Sequence, residues 1–182
     1  MSWGRRVHEV LERHLKDKEP LPDGFQHMAH LYNFPPHGYT VQAELKLGIA
    51  KDGGARDFFA DDVYARGVLD VVLTIDSRPD TAVLIDHKTG KVREDPGELE
   101  FHAVLLRAHY PQLRNIKGWY NWLANDRMGS VHDLSDTHAH FEQLRSTQER
   151  IRHAFVLGMD AFPLKQSPLC GWCPVMACRF HP

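Results

Sequence analysis

The sequence predicts an α/β domain, a mixed β-sheet flanked by helices. Helical and strand-like hydrophobic periods alternate along the chain in the order helix, three strands, helix, two strands, helix. The stretch from Arg66 to Lys91, RGVLDVVLTIDSRPDTAVLIDHKTGK, reads as two strands joined by a turn. The first is apolar on both faces except at Asp70, as a covered central strand should be. The composition agrees, at 42% apolar and 25% charged residues over 182 positions. That length suffices for one sizeable core. No repeat, low-complexity tract or long linker divides the chain. One domain over 1–182 is expected, with a cysteine-containing tail (168–182) packed on it.

The elements follow in order. Trp3 to Lys16 reads as a helix, with Val7, Val10, Leu11, His14 and Leu15 at helical spacing and LKDKEPLPDG ending it. His8 and Glu12 share one face. Residues 20–37 carry Pro20, Pro22, Gly24, Pro35 and Pro36 and read as loop. Tyr39 to Ile49 alternates, with Tyr39, Val41, Ala43, Leu45 and Leu47 opposing Thr40, Gln42, Glu44 and Lys46. KDGGARD turns. In the last strand of the opening stretch, a period of two puts Asp86 and Lys88 on one face and His87 on the other. SRPDT supplies the turn before it. Glu98 to Tyr110 is an amphipathic helix ended by Pro111, with Glu98 and His102 four apart. Asn115–Leu123 and Gly129–Leu134 form a hairpin around NDRMG. Asp136 to Leu157 is a long helix with Phe141, Leu144, Ile151 and Phe155 as its buried positions.

Charge and targeting signals bound the function. No run approaches the ~18 apolar residues of a membrane span. The N-terminus lacks the apolar core of a signal peptide, so a cytoplasmic protein is expected. A net charge of −2 argues against a surface coated in basic groups. It leaves room for nucleic acid, because a local groove and a bound divalent metal can supply the positive field.

Asp70, Asp86 and Lys88 are charges set inside apolar strands, which is costly unless they pair or bind metal. A carboxylate on one strand and a carboxylate-x-lysine on its neighbour make a hard-oxygen site with a cation beside it. Mg²⁺ or Mn²⁺ takes such ligands and keeps waters for chemistry. It lowers the pKa of a bound water and stabilises charge building on a phosphate, while the lysine assists. The alternative is a structural ion pair of Lys88 with Asp86 or Asp70.

RGVLDVV followed by VLIDHKTGK resembles the PD-(D/E)xK nuclease superfamily in its RecB-like exonuclease branch, which is related to CRISPR-adaptation nucleases. In that branch a G-x-x-D strand leads to a D-x-K-T-G-K strand. The motifs stand here as Gly67-Val68-Leu69-Asp70 and Asp86-His87-Lys88-Thr89-Gly90-Lys91. GRRVHEVLE resembles the branch's N-terminal helix motif, and AEL its extra acidic position. The resemblance implies a restriction-endonuclease-like fold. It implies that His8, Asp70 and Asp86 hold the metal with the backbone carbonyl of His87, that Lys88 is catalytic, and that Glu44 is a second acid near the metal or its water. Read without it, His8 is a solvated helix histidine and Glu44 the polar face of a strand.

Two regions depart from the branch. Its Q-x-x-x-Y helix motif is replaced by Glu98-Leu99-Glu100-Phe101-His102, with Glu98 and His102 at the substrate-binding positions. Its iron–sulfur members add a cysteine before the helix histidine, and none precedes His8 here. Cys170, Cys173 and Cys178 with His181 give C-x2-C-x4-C-x2-H. That set suits a 4Fe–4S cluster or tetrahedral Zn²⁺, or the cysteines are plain packing residues. Trp119 and Trp122 read as packing, and His132, His138 and His140 as surface. Arg5, Arg6, Lys91, Arg93, Arg107, Arg114 and Lys117 are candidate phosphate contacts.

The expected function is a divalent-metal-dependent deoxyribonuclease, an exonuclease hydrolysing phosphodiester bonds in recombination, repair or phage DNA processing, in a bacterial or phage-infected cell. DNA ends or single strands are the expected partners, with any helicase or recombination protein a separate chain. The rivals are a nuclease trimming CRISPR spacer precursors and a DNA-binding module that does not cleave.

Overall fold

A computed structural model describes residues 3–32, 34 and 37–181, with the side chains of 159 and 160 outside that description. Pro35 and Pro36, two of the residues expected to punctuate the first loop, lie outside the described residues. Contacts divide the chain into two compact units, Met1–Glu142 and Gln143–Pro182.

The first unit is built on a seven-stranded mixed sheet of order β2-β1-β3-β4-β5-β6, with β7 also paired to β5. The strands are β1 (Tyr39–Ile49), β2 (Ala55–Arg56), β3 (Ala65–Ile75), β4 (Arg78–Lys88), β5 (Asn115–Trp122), β6 (Arg127–Met128) and β7 (His132–Asp133). β1, β3 and β4 pair antiparallel, whereas β4 and β5 run parallel. Parallel neighbours need a crossover. That crossover is α2 (Gly97–His109), which follows the end of β4 after the connecting segment 89–96 and lies against β1, β3, β4 and β5. Helix α1 (Trp3–Asp17) buries Val7, Leu11 and Leu15 against Ala43, Val71, Leu73 and Ile85. Leu69 to Leu73 are all buried, so both faces of β3 are covered and the strand is central, as its double-sided apolar pattern predicts.

Gly67 and Gly118 are set by close packing. A Cβ on Gly67 would meet Leu105 Cδ1 at 2.9 Å and Phe101 Cε1 at 3.2 Å, both on α2. A Cβ on Gly118 would meet Leu134 Cδ1 at 2.8 Å and the Leu84 carbonyl at 3.0 Å. Glycine at the head of G-x-x-D therefore lets α2 sit on β3 beside Asp70.

Four local expectations are corrected. The stretch read as loop over 20–37 contains a 3-10 helix at Gln26–Tyr32, because Met28 and Tyr32 are buried in the core under α1. The turn between β3 and β4 is tighter than SRPDT, since Arg78–Asp80 already belong to β4. The hairpin after β5 is split into β6 and β7, each of two residues and each antiparallel to β5. The long helix forms as α3 (Thr137–Leu157), but none of its residues is buried. Ile151 is 49% exposed and Phe155 71%. Helical spacing identifies a face without saying that anything covers it.

In the second unit, no described residue is buried. Leu169, Trp172 and Met176 stand exposed beside the cysteines. Short backbone turns organise this stretch: Cys173 N–H donates to the Cys170 carbonyl and His181 N–H to that of Cys178. The three cysteines are partly buried and form no disulfide.

Candidate active site

The site lies at one end of β3 and β4. Their ladder ends at Val71–Ile85. Beyond it, the His87 N–H donates to Asp70 Oδ2 at 2.7 Å, so a side chain takes the amide that a strand neighbour would have taken. This fixes Asp70 while the two strands part.

Three further side chains close on Asp70. From α1, His8 Nδ1 lies 3.3 Å from Asp70 Oδ1 and 3.4 Å from Glu44 Oε1. From β4, His87 Nδ1 lies 3.7 Å from Asp70 Oδ2. Glu44 reaches the group through its backbone. Its φ of 51° lies in the left-handed region, and the β1–β3 ladder skips the Glu44–Asp70 position. A non-glycine residue held there costs about 1–2 kcal/mol. Such strain persists where the surroundings over-determine it, commonly at functional sites.

A second group forms on the α2 side. Lys88 Nζ lies 2.6 Å from Asp86 Oδ2 and donates to Glu98 Oε2 at 2.5 Å. His102 Nδ1 lies 3.9 Å from Asp86 Oδ1. Glu98 and His102, one helical turn apart on α2, share the face their spacing predicts, and that face meets the Asp86–Lys88 pair. Candidate donor atoms of His8, Asp70 and His87 lie within 4.8 Å of one another, as do those of Asp86, Glu98 and His102. Among the described residues, Cys170, Cys173, Cys178 and His181 form no such group.

The electrostatics follow from burial and proximity. Hydrogen bonding to Asp70 and then Glu44 raises the His8 pKa to about 10, so His8 is a cation in the metal-free protein. Burial opposes ionisation of Asp70, but His8 and the His87 amide outweigh it and hold the carboxyl below its ordinary value. Burial, and then the charge of Asp70, push Asp86 up to about 7. Burial pulls His87 down to about 4, leaving its imidazole neutral. Burial also works against the Lys88 ammonium, yet the carboxylates of Asp86 and Glu98 prevail and raise its pKa.

This donor set fits a divalent cation. Asp86 is 97% buried by exposure, with 3% of its surface accessible, and its Oδ2 makes no aligned hydrogen bond despite the ion pair with Lys88. Both ring nitrogens of buried His87 lack hydrogen-bond partners. Buried polar atoms are rarely left so, and a bound ion is one recurrent reason. Two carboxylates with imidazoles around them are ligands that Mn²⁺ and Mg²⁺ sites can use.

Sequence reasoning singled out His8, Glu44, Asp70, Asp86, Lys88, Glu98 and His102, and the fold gathers them at this end of the sheet. The resemblance implied only a backbone carbonyl at His87. The imidazole instead joins Asp70 and His8. Sequence reasoning also missed Tyr32, whose ring packs edge-on to His87 at 5.4 Å. That residue stands in a proline-rich segment with no periodic signal.

A central mixed sheet with a parallel crossover bears carboxylates and a lysine where two strands part, a donor set suited to metal-assisted phosphoester hydrolysis. A family model for the PD-(D/E)XK nuclease superfamily matches residues 31–178, and the chain belongs to that superfamily. Membership makes it one of the metal-dependent nucleases. His8 precedes the matched residues, so its place at the site is a finding of the structure. No curated protein matches the chain.

Proposed function

We propose that this chain is a divalent-metal-dependent deoxyribonuclease that degrades DNA from ends, in recombination, repair or phage DNA processing. The observation that carries this reading is the convergence of His8, Glu44, Asp70 and His87 beside the Asp86–Lys88 pair. The resemblance of the Asp70 and Asp86–Lys91 motifs to the RecB-like branch favours exonuclease action. Intact Asp70, Asp86 and Lys88 weigh against a module that binds without cleaving.

His8, Asp70 and Asp86 would hold Mg²⁺ or Mn²⁺, with His87 supplying a further donor and Glu44 standing by the attacking water. Such an ion supplies an acidified water and offsets charge on the scissile phosphate. Lys88, charged and clamped between Asp86 and Glu98, stabilises negative charge as the phosphate is attacked. A raised pKa suits it to that role better than to taking a proton. Buried Asp70, fixed by the His87 amide, orients the ligands.

Linear, circular and single-stranded DNA should be incubated with Mg²⁺ or Mn²⁺ and the parent, Asp86→Ala or Lys88→Ala. We expect metal-dependent loss of linear DNA by the parent and a drop of at least about 10²-fold in each variant. A parent that cleaves nothing sinks the nuclease reading, and rapid cutting of closed circles removes the exonuclease part.

In the tail, Cys170, Cys173, Cys178 and His181 would hold a structural 4Fe–4S cluster or Zn²⁺. Metal analysis of the purified protein, with its visible spectrum, separates the two. Colourless, zinc-free and iron-free protein refutes both.

A further inference from the structure

Next to Asp70, on the α1 side of the sheet, lies a buried polar group that the proposed chemistry does not use. Tyr32, His87 and Asn121 are 6%, 4% and 1% exposed. His87 and Asn121 are register partners on the parallel strands β4 and β5, so their side chains leave one face of the sheet side by side. Ile85, Trp119 and Leu123, each two residues away on those strands, belong with Tyr32 to the core on that face. The Tyr32 ring meets the His87 ring edge-on at 5.4 Å. Burial raises the Tyr32 pKa, and the Asn121 amide beside the hydroxyl works against that rise. Tyr32 Oη, Asn121 Nδ2 and both His87 ring nitrogens have no aligned hydrogen-bond partner. Neighbouring buried groups with spare polar atoms are satisfied by one another or by a shared water.

The polarity of this group is fixed from one end. The Trp119 indole N–H can only donate, and it lies 3.1 Å from Asn121 Oδ1. The amide oxygen therefore faces Trp119, and Nδ2, which can only donate, is left for the Tyr32 hydroxyl. Once Tyr32 Oη accepts from Asn121, its own proton needs an acceptor. The neutral His87 imidazole has one donor and one acceptor. Its Nδ1 is the nitrogen beside Asp70, 3.7 Å from Oδ2, and an ionised carboxylate only accepts. The ring proton then belongs on Nδ1 and the lone pair on Nε2, which is the acceptor that Tyr32 requires.

We propose that Trp119, Asn121, Tyr32 and His87 form a one-way chain of donors that ends on Asp70. Trp119 donates to Asn121, Asn121 to Tyr32, Tyr32 to His87 Nε2 directly or through one buried water, and His87 Nδ1 to Asp70 Oδ2. Tyr32 is thus a positioning residue that acts through the His87 tautomer. The imidazole joins the His87 backbone N–H in holding Oδ2, while Oδ1 stays on the His8 side. His87 would then meet the ion through its backbone carbonyl, as the sequence resemblance implies. The effect on catalysis rests on the metal-nuclease reading above; the tautomer does not.

The test reads the tautomer without metal or DNA. The full chain, carrying nitrogen-15-labelled histidine, is studied by NMR in EDTA near neutral pH, with the His87 ring assigned from its own backbone. The parent should show His87 protonated on Nδ1 and bare on Nε2. Tyr32→Phe keeps the ring and its edge contact and removes only the hydroxyl. In that variant the His87 signals should shift toward a mixture of tautomers. Calorimetry should show Mn²⁺ bound about tenfold more weakly, the lower end of what loss of such a supporting partner costs. On DNA, kcat should fall with KM little changed. The double variant Tyr32→Phe/His87→Leu should bind Mn²⁺ no more weakly than His87→Leu alone, because the hydroxyl acts through the ring. A bare Nδ1 or a doubly protonated ring in the parent, a tautomer unmoved by Tyr32→Phe, or additive losses in the double variant overturns the chain of donors. A tautomer that shifts as stated in a protein that binds no Mn²⁺ and cuts no DNA sinks the nuclease reading and leaves the chain of donors standing.

Discussion

Asp86 is the residue whose physics is most at odds with stability. Its carboxyl titrates near 7 in the folded chain against 3.8 for the ordinary group. A raised folded-state pKa stabilises fully below the lower value, and that contribution is lost as pH rises to the upper one. Between about pH 4 and 7, the metal-free protein should therefore lose stability that Asp86→Asn keeps. In EDTA at pH 8 the variant should melt at least about 2 °C above the parent, with the gap closing near pH 4; for a chain this size ~1 kcal/mol moves Tm by about 2–4 °C. The same variant should be inactive. His8 runs over a different window, with a folded value of about 10 against 6.5. Its contribution is complete below 6.5 and lost as pH passes 10. In EDTA the stability gap between parent and His8→Ala should be widest near pH 6 and vanish above about pH 10, and a gap that grew with pH would refute the His8–Asp70–Glu44 contact. Asp86 was legible in the sequence because charge inside an apolar strand is conspicuous, whereas His8 was legible only through the resemblance of its helix motif. The left-handed backbone of Glu44 was not, since no local signal marks it.

At the scale of elements, α2 serves twice. It carries the chain across from β4 to β5, and its inner face brings Glu98 and His102 to Asp86 and Lys88. Gly67 sets how closely it sits. In Gly67→Ala the new methyl would lie 2.9 Å from Leu105 Cδ1 and 3.4 Å from His102 Cδ2. Overpacking of this kind costs about 1–3 kcal/mol. We expect a lower Tm and a cleavage rate reduced beyond the loss of folded protein, read as kcat on protein shown folded by circular dichroism. Gly67 was visible as a motif letter, and its partner on α2 was not. The alternating pattern of β1, the two-sided pattern of β3 and the periodicity of α1 and α2 were all readable because each is local. β6 and β7 were not, because two-residue strands carry no period.

Over the whole molecule, the core residues among those described all lie in the first unit, the last of them Leu134. A chain ending at Glu142 should therefore keep a cooperative unfolding transition within a few degrees of the full chain, measured by calorimetry; its loss would show that Gln143–Pro182 stabilises the core. The sequence by itself determined the sheet-and-helix class, the central place of β3, and the identity of Asp70, Asp86 and Lys88, because period and buried charge are written in neighbouring residues. Only the tertiary structure decided that His87 turns its imidazole to Asp70, that Tyr32 packs on it, that Lys88 is held between Asp86 and Glu98, and that α3 buries nothing. Those facts depend on which faces meet. Residues as far apart as His8 and His87 come together only when the chain has closed, and no spacing along it encodes the distance between them.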